Sequence, residues 1–193
     1  APTYVGALQA FNSYEARYLT VPLDGDGLQV DKLEQELRSG PKFLYVLPNF
    51  HNPAGTTLTV ERRNRLVELA SHYGVRILED DPYGQLRYEG EHQPPLVEID
   101  SEYHGERAGK AAAGGRFRGG VIYLSSLSKT LAPGLRIAWV VAPTDVIGRL
   151  VQIKQGSDLH TSTFNQMVAY ETARGGFLDH HVKVLRDFYR ERR

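Results

Sequence analysis

Val121-Ile122-Tyr123-Leu124-Ser125-Ser126-Leu127-Ser128-Lys129-Thr130-Leu131-Ala132-Pro133-Gly134-Leu135-Arg136-Ile137 is the stretch whose reading decides the fold. An apolar run over 121–124 gives way to serines and a lysine, and a second apolar run, 137–141, follows the Pro133-Gly134 break. Short continuous apolar runs bounded by turn residues mark strands buried on both faces of a parallel sheet. Two earlier runs have the same form. One, 43–47, is closed by Pro48, and the other, 75–78, ends in Glu79-Asp80-Asp81.

Helical patterns separate these runs. Val30, Leu33 and Leu37 share one face of a helix stopped at Ser39-Gly40-Pro41. Thr59 is placed to cap a helix running through Tyr73, with Leu66, Val67, Leu69 and Ala70 towards the core and Gly74 at its end. Further helices are expected over 5–14, 145–155 and 164–174 and from Leu178 onward, and a short strand over 18–22 before the Asp24-Gly25-Asp26-Gly27 turn. Strands alternating with helices predict an α/β fold with right-handed crossovers and ligands at the carboxyl ends of the strands. Residues 101–120, rich in Gly, Ala and charge, have no periodicity and read as a flexible surface loop.

The bulk numbers narrow the function class. In 193 residues, 23 Lys and Arg balance 23 Asp and Glu, so no net field recommends nucleic acid or an anionic membrane as a partner. Without Cys there is no disulfide framework and no thiolate metal site, which suits a reducing compartment, and the cytoplasm is the expected location. No apolar run approaches the roughly 20 residues that span a bilayer. The seven histidines have no metal-ligand spacing, so no metal is expected. Ser128-Lys129-Thr130 lacks the preceding glycines of a nucleotide-binding P-loop.

Three polar clusters follow predicted strands: Asn49-Phe50-His51-Asn52-Pro53-Ala54-Gly55, Asp80-Asp81-Pro82-Tyr83, and Ser126-Leu127-Ser128-Lys129 with Arg136. A parallel sheet brings such loops to one edge. Taken together, Pro48 to Gly55, the Asp80-x-x-Tyr83 pair and Ser126 to Arg136 resemble the fold-type I, class I/II aminotransferases, and within them the subgroup of 2-aminoadipate and kynurenine aminotransferases. The resemblance covers nearly the whole chain.

The resemblance implies a pyridoxal 5′-phosphate enzyme built on a three-layer α/β/α sandwich with a mostly parallel sheet. It implies that Lys129 forms a Schiff base with the cofactor aldehyde and moves the substrate Cα proton. Asp80, ahead of its neighbour Asp81, would keep the pyridine nitrogen protonated. Asn52 and Tyr83 would hydrogen-bond the ring oxygen, and Ser126, Ser128 and Arg136 would hold the phosphate. Tyr4, in Ala1-Pro2-Thr3-Tyr4, resembles the aromatic residue that stacks on the cofactor ring.

On the same resemblance, residues 1–193 are expected to be most of the cofactor-binding large domain. A glycine-rich phosphate turn before Ala1 and a small domain bearing the substrate-carboxylate Arg after Arg193 would complete it. The implied activity is amino-group transfer between an L-amino acid and a 2-oxo acid such as 2-oxoglutarate, in amino acid metabolism, by a homodimer. Two other functions share this domain: a lyase or decarboxylase, and the effector-sensing part of a transcription regulator fused behind a winged helix.

Overall fold

The computed structural model describes residues 2–108 and 119–192. Helix α1 (Val5–Asn12) leads to a ribbon of β1 (Leu23–Asp24) and β2 (Gly27–Leu28), then α2 (Val30–Leu37). The sheet follows: β3 (Phe43–Val46), α3 (Val60–Tyr73), β4 (Arg76–Asp80), α4 (Leu96–Ala108), β5 (Val121–Ser126) and β6 (Ala138–Val141). Helices α5 (Thr144–Asp158), α6 (Thr163–Ala173) and α7 (Phe177–Arg190) complete the described chain.

The sheet order is β3-β4-β5-β6, with β3, β4 and β5 parallel and β6 antiparallel to β5. The expected α/β fold with a mostly parallel sheet is what forms. The fourth strand is antiparallel because a tight turn over 127–137, too short for a helical crossover, returns the chain beside β5. That reversal brings the start of β6 to the edge where β3, β4 and β5 end.

Strand alternation divides the side chains between two faces. Val46, Ile77 and Val121 face α3 and α4 and form one core with Leu66, Val67, Leu69, Ala70, Leu96 and Ile99. Full burial of each such Leu or Val is worth about 1.5–3 kcal/mol. The registers Tyr45↔Leu78 and Asp80↔Leu124 place Tyr45, Asp80 and Ser126 on the other face, which α1 covers through edge-on contacts of Phe11 with Phe43 and Tyr45.

Helix α3 begins and ends as its sequence indicates. The Thr59 hydroxyl accepts from Arg62 N at 3.4 Å, and Gly74 closes the helix at φ 65° in the left-handed region that glycine enters without strain.

Two expectations are corrected. Residues 18–22 form no strand, and the extended ribbon lies just beyond them in β1 and β2, closed by Arg62 on Asp24 at 2.6 Å. Residues 101–108 are not loop but the later turns of α4. The helix is selected by tertiary contacts. Its first N–H groups, Leu96 N and Val97 N, donate to the Glu79 carboxylate at 2.8 and 2.9 Å, and Asp100 accepts from Val121 N at 2.9 Å. The rest of that expected loop, 109–118, lies outside the described residues.

Candidate active site

Parallel strands deliver the three polar clusters to one edge. Asp80 is the last residue of β4, Ser126 the last of β5, and Asn52 lies in the loop that leaves β3, which includes a cis Asn52–Pro53 bond. Lys129 and Ser128 follow β5 directly. Arg136 precedes β6 at the same edge, where Leu127 N donates to Ile137 O at 3.0 Å.

The two neighbouring aspartates have different environments. Asp81 is buried and built into the turn, with Oδ1 accepting from Gly84 N at 2.8 Å and its backbone carbonyl accepting from Ser125 Oγ at 2.8 Å. Asp80 Oδ2 accepts from the phenol of Tyr45 at 2.6 Å, and its Oδ1 bonds to nothing among the described residues. Each carboxylate thus has one oxygen bonded within the chain; Asp80 is the less buried of the two and lies on the face of the sheet that carries Tyr45 and Ser126. Burial pushes it above the usual carboxylate range, the Tyr45 hydrogen bond opposes that, and the nearby Asp81 charge adds a smaller upward push.

Below this edge lies a buried polar network. Arg63, wholly buried, donates to Leu58 O at 2.9 Å, Pro94 O at 2.9 Å, Pro48 O at 3.0 Å and Asn49 Oδ1 at 2.7 Å. Arg87 also donates to Asn49 Oδ1, at 3.2 Å, and its guanidinium sits 4.6 Å from the Phe50 ring centre. Together they hold the start of the 48–55 loop that carries Asn52. From the other side, Arg186 and Arg190 of α7 clamp the segment after Tyr83 by donating to Gln85 O and Tyr88 O.

The sequence-predicted residues are brought together in part. Lys129 Nζ lies 5.8 Å from the centre of the Tyr83 ring, and Ser128 N donates to Ser126 Oγ at 3.3 Å. Arg136 sits at the edge in a left-handed conformation, φ 54°, with its guanidinium exposed and donating to Pro133 O at 3.2 Å. Asn165 of α6 donates to Leu135 O and so steadies that turn. A phosphate was the expected partner of Arg136, and among the described residues its guanidinium meets only that carbonyl. Tyr4 is 42% exposed, with its ring folded back over Gly6.

The donor set fits pyridoxal 5′-phosphate. Among the described residues, the Asn52 amide, the Tyr83 and Ser128 hydroxyls, the Lys129 amine and Asp80 Oδ1 make no hydrogen bond within the chain. Lys129 is exposed and the other four are partly buried, whereas the fully buried Asn49, Arg63, Glu79, Asp81 and Asp100 are all hydrogen-bonded within the chain. A free carboxylate oxygen, an amine, an amide and hydroxyls converging on one edge match a ligand with a ring nitrogen, an aldehyde, a ring oxygen and a phosphate.

A second polar cluster elsewhere does not make a catalytic relay. A cavity of about 250 Å³ at the opposite edge is lined by Ser71, Arg76, Asp100 and His104 among others. His104 Nε2 contacts both Ser71 Oγ at 3.4 Å and Asp100 Oδ1 at 3.3 Å. A relay needs the base and its orienting carboxylate on opposite ring nitrogens, and here both contacts fall on one. Among the described residues no group of three His, Cys, Asp or Glu side chains is placed to hold a metal ion, and no helix is long and apolar enough to cross a membrane.

Reading the sequence alone misses Tyr45 and Arg63. Tyr45 is hidden in an apolar strand run. Arg63 does carry a signal, since Arg63, Leu66, Val67 and Ala70 lie at helical spacing and put a guanidinium on an apolar face.

Fold and edge geometry define an α/β domain with ligand-binding polar groups gathered at the carboxyl edge of its sheet, and comparison with known proteins gives it a family. The model of the aminotransferase class I and II family matches residues 1–193, and the chain belongs to that family. It is 44% identical over its whole length to aromatic-amino-acid aminotransferase 1 of Thermococcus litoralis, covering 44% of that protein. A crystal structure of α-aminoadipate aminotransferase from Thermus thermophilus, complexed with N-(5′-phosphopyridoxyl)-L-leucine, matches 99% of this chain and 46% of that one at 41% identity and a TM-score of 0.87. An uncharacterized HTH-type transcriptional regulator of Bacillus subtilis is 33% identical over the whole chain, which covers 37% of it. The chain thus spans less than half the length of these relatives.

Proposed function

We propose that the protein is a pyridoxal 5′-phosphate-dependent aminotransferase that moves an amino group between an L-amino acid and a 2-oxo acid. The observation that carries this reading is the unpaired set at the sheet edge, Lys129 beside Tyr83 with Asp80 Oδ1 free, in a chain of the class I and II aminotransferase family. Bound there, the cofactor supplies an aldehyde for amine exchange and a ring that accepts the electrons of the substrate Cα–H bond.

The residues then have distinct tasks. Lys129 would hold the cofactor aldehyde, and its amine would be the base that carries the substrate Cα proton. Asp80 would accept a hydrogen bond from the ring nitrogen. Asn52 and Tyr83 would donate to the ring oxygen, while Ser126, Ser128 and Arg136 would hold the phosphate. Tyr4 would cover the ring face.

The names of the similar proteins support aromatic amino acids or 2-aminoadipate as amino donors. The proposed acceptor is 2-oxoglutarate. A homodimer is the proposed assembly, supported by the exposed apolar side chains of Trp139, Val141, Ile153, Phe164 and Met167 on β6, α5 and α6. Incubating the full-length protein with pyridoxal phosphate, 2-oxoglutarate and each amino donor in turn should yield glutamate and the matching 2-oxo acid. Sequence-specific DNA binding without any glutamate would favour a regulator instead.

A further inference from the structure

Asp80 is useful to a ligand only if it is charged and correctly turned, and its position in the sheet works against both. It lies half-buried at the end of β4, where low dielectric favours the neutral acid, and Asp81 next to it adds a like charge. No Lys or Arg pairs with it among the described residues. One neutral donor reaches it, the phenol of Tyr45, from the adjacent strand on the same face of the sheet. At 2.6 Å the contact is short, as bonds from a hydroxyl to a carboxylate are.

Resting on the cofactor site assigned above, we propose that Tyr45 is a positioning residue of that site. Its phenol, fixed on Asp80 Oδ2, maintains Asp80 as an oriented anion and leaves Oδ1 to accept from the ring nitrogen of the bound cofactor. Tyr45 itself is held from behind, with its ring edge-on to Phe11 of α1 at 5.5 Å between centres and the β3 backbone locked into β4. The ring contact and the strand pairing hold the phenol against Asp80 Oδ2. Burial and the Asp80 charge both push the Tyr45 phenol above its ordinary value, so it stays a donor throughout the working pH range.

The test is a double-mutant cycle read as pyridoxal phosphate affinity in the full-length protein, titrated by the visible absorption of the bound cofactor. Tyr45→Phe keeps the ring, its contact with Phe11 and the strand, and removes one oxygen. It should weaken binding about tenfold, the cost of losing a hydrogen bond to a charged group. Asp80→Asn should weaken binding at least as much. In the Asp80→Asn background, Tyr45→Phe should add less than about a further twofold, because its effect runs through the Asp80 charge.

An equal loss from Tyr45→Phe in both backgrounds would make Tyr45 a general packing residue and overturn the proposal. So would wild-type affinity in Tyr45→Phe. If the wild-type protein fails to bind pyridoxal phosphate, the site reading itself falls and takes this inference with it, an outcome seen before any variant is made.

Discussion

Replacing Arg63 with Met should destabilise the protein by about 3 kcal/mol, a figure that follows from counting what the guanidinium serves. Four acceptors bond to it. Pro48 O also accepts from Leu58 N at 2.8 Å, and Asn49 Oδ1 also accepts from Arg87, so these two keep a partner. Leu58 O and Pro94 O accept from no other described donor and would be left unpaired, the first buried and the second partly buried, at up to about 1–3 kcal/mol each. Against this, a buried charge no longer has to be desolvated, and Met fills most of the volume, which returns part of the loss. Urea denaturation of wild type and variant, followed by circular dichroism, measures the difference through the midpoint at constant slope. The variant should also bind pyridoxal phosphate more weakly, because the Asn49 anchor of the Asn52 loop is loosened. A loss below about 1 kcal/mol would show that the carbonyls find water or each other, and would refute the view that Arg63 holds the loop.

Glu79 should make stability fall as pH rises. Burial lifts it to about 7 from 4.5, outweighing its two N–H donors and Arg63, so between those values the folded state keeps a proton that the unfolded state has released. That contribution is complete below 4.5 and gone above about 7, a fall of about 3 kcal/mol, and Glu79→Gln should flatten this part of the stability–pH curve. Gly84→Ala should disrupt the Asp80–Tyr83 turn, because a Cβ there would meet the Asp81 carboxylate and come within 2.9 Å of Asn49 Nδ2; unchanged cofactor affinity would count against that packing. Thr59→Ala should cost about 1 kcal/mol through loss of the α3 cap, read from the urea midpoint.

Much of this fold was legible because local signals and tertiary outcome agree. The 43–47 run became β3, and Thr59 and Gly74 bound α3 where their cap chemistry required. Helix α4 was not legible. Its stretch Ser101 to Gly105 offers a single large apolar side chain, Tyr103, and what starts it is the Glu79 carboxylate, far away in sequence and brought close only by the sheet. The direction of β6 was also hidden, since an apolar run reads alike in either orientation. At the site, Asp80 could be preferred to Asp81 by family resemblance alone; the physical reason, that Asp81 is buried against Gly84 while the less buried Asp80 shares a sheet face with Tyr45 and Ser126, needs the strand register. Tyr45 needed the strand register, which no single sequence displays.

The most direct measurement is borohydride reduction of the full-length protein in the presence of pyridoxal phosphate, with peptide mapping of the mass increment. One adduct, on Lys129, absent from Lys129→Ala, is the expected result. Adducts scattered over several lysines, or undiminished in Lys129→Ala, would contradict Lys129 as the residue that holds the cofactor.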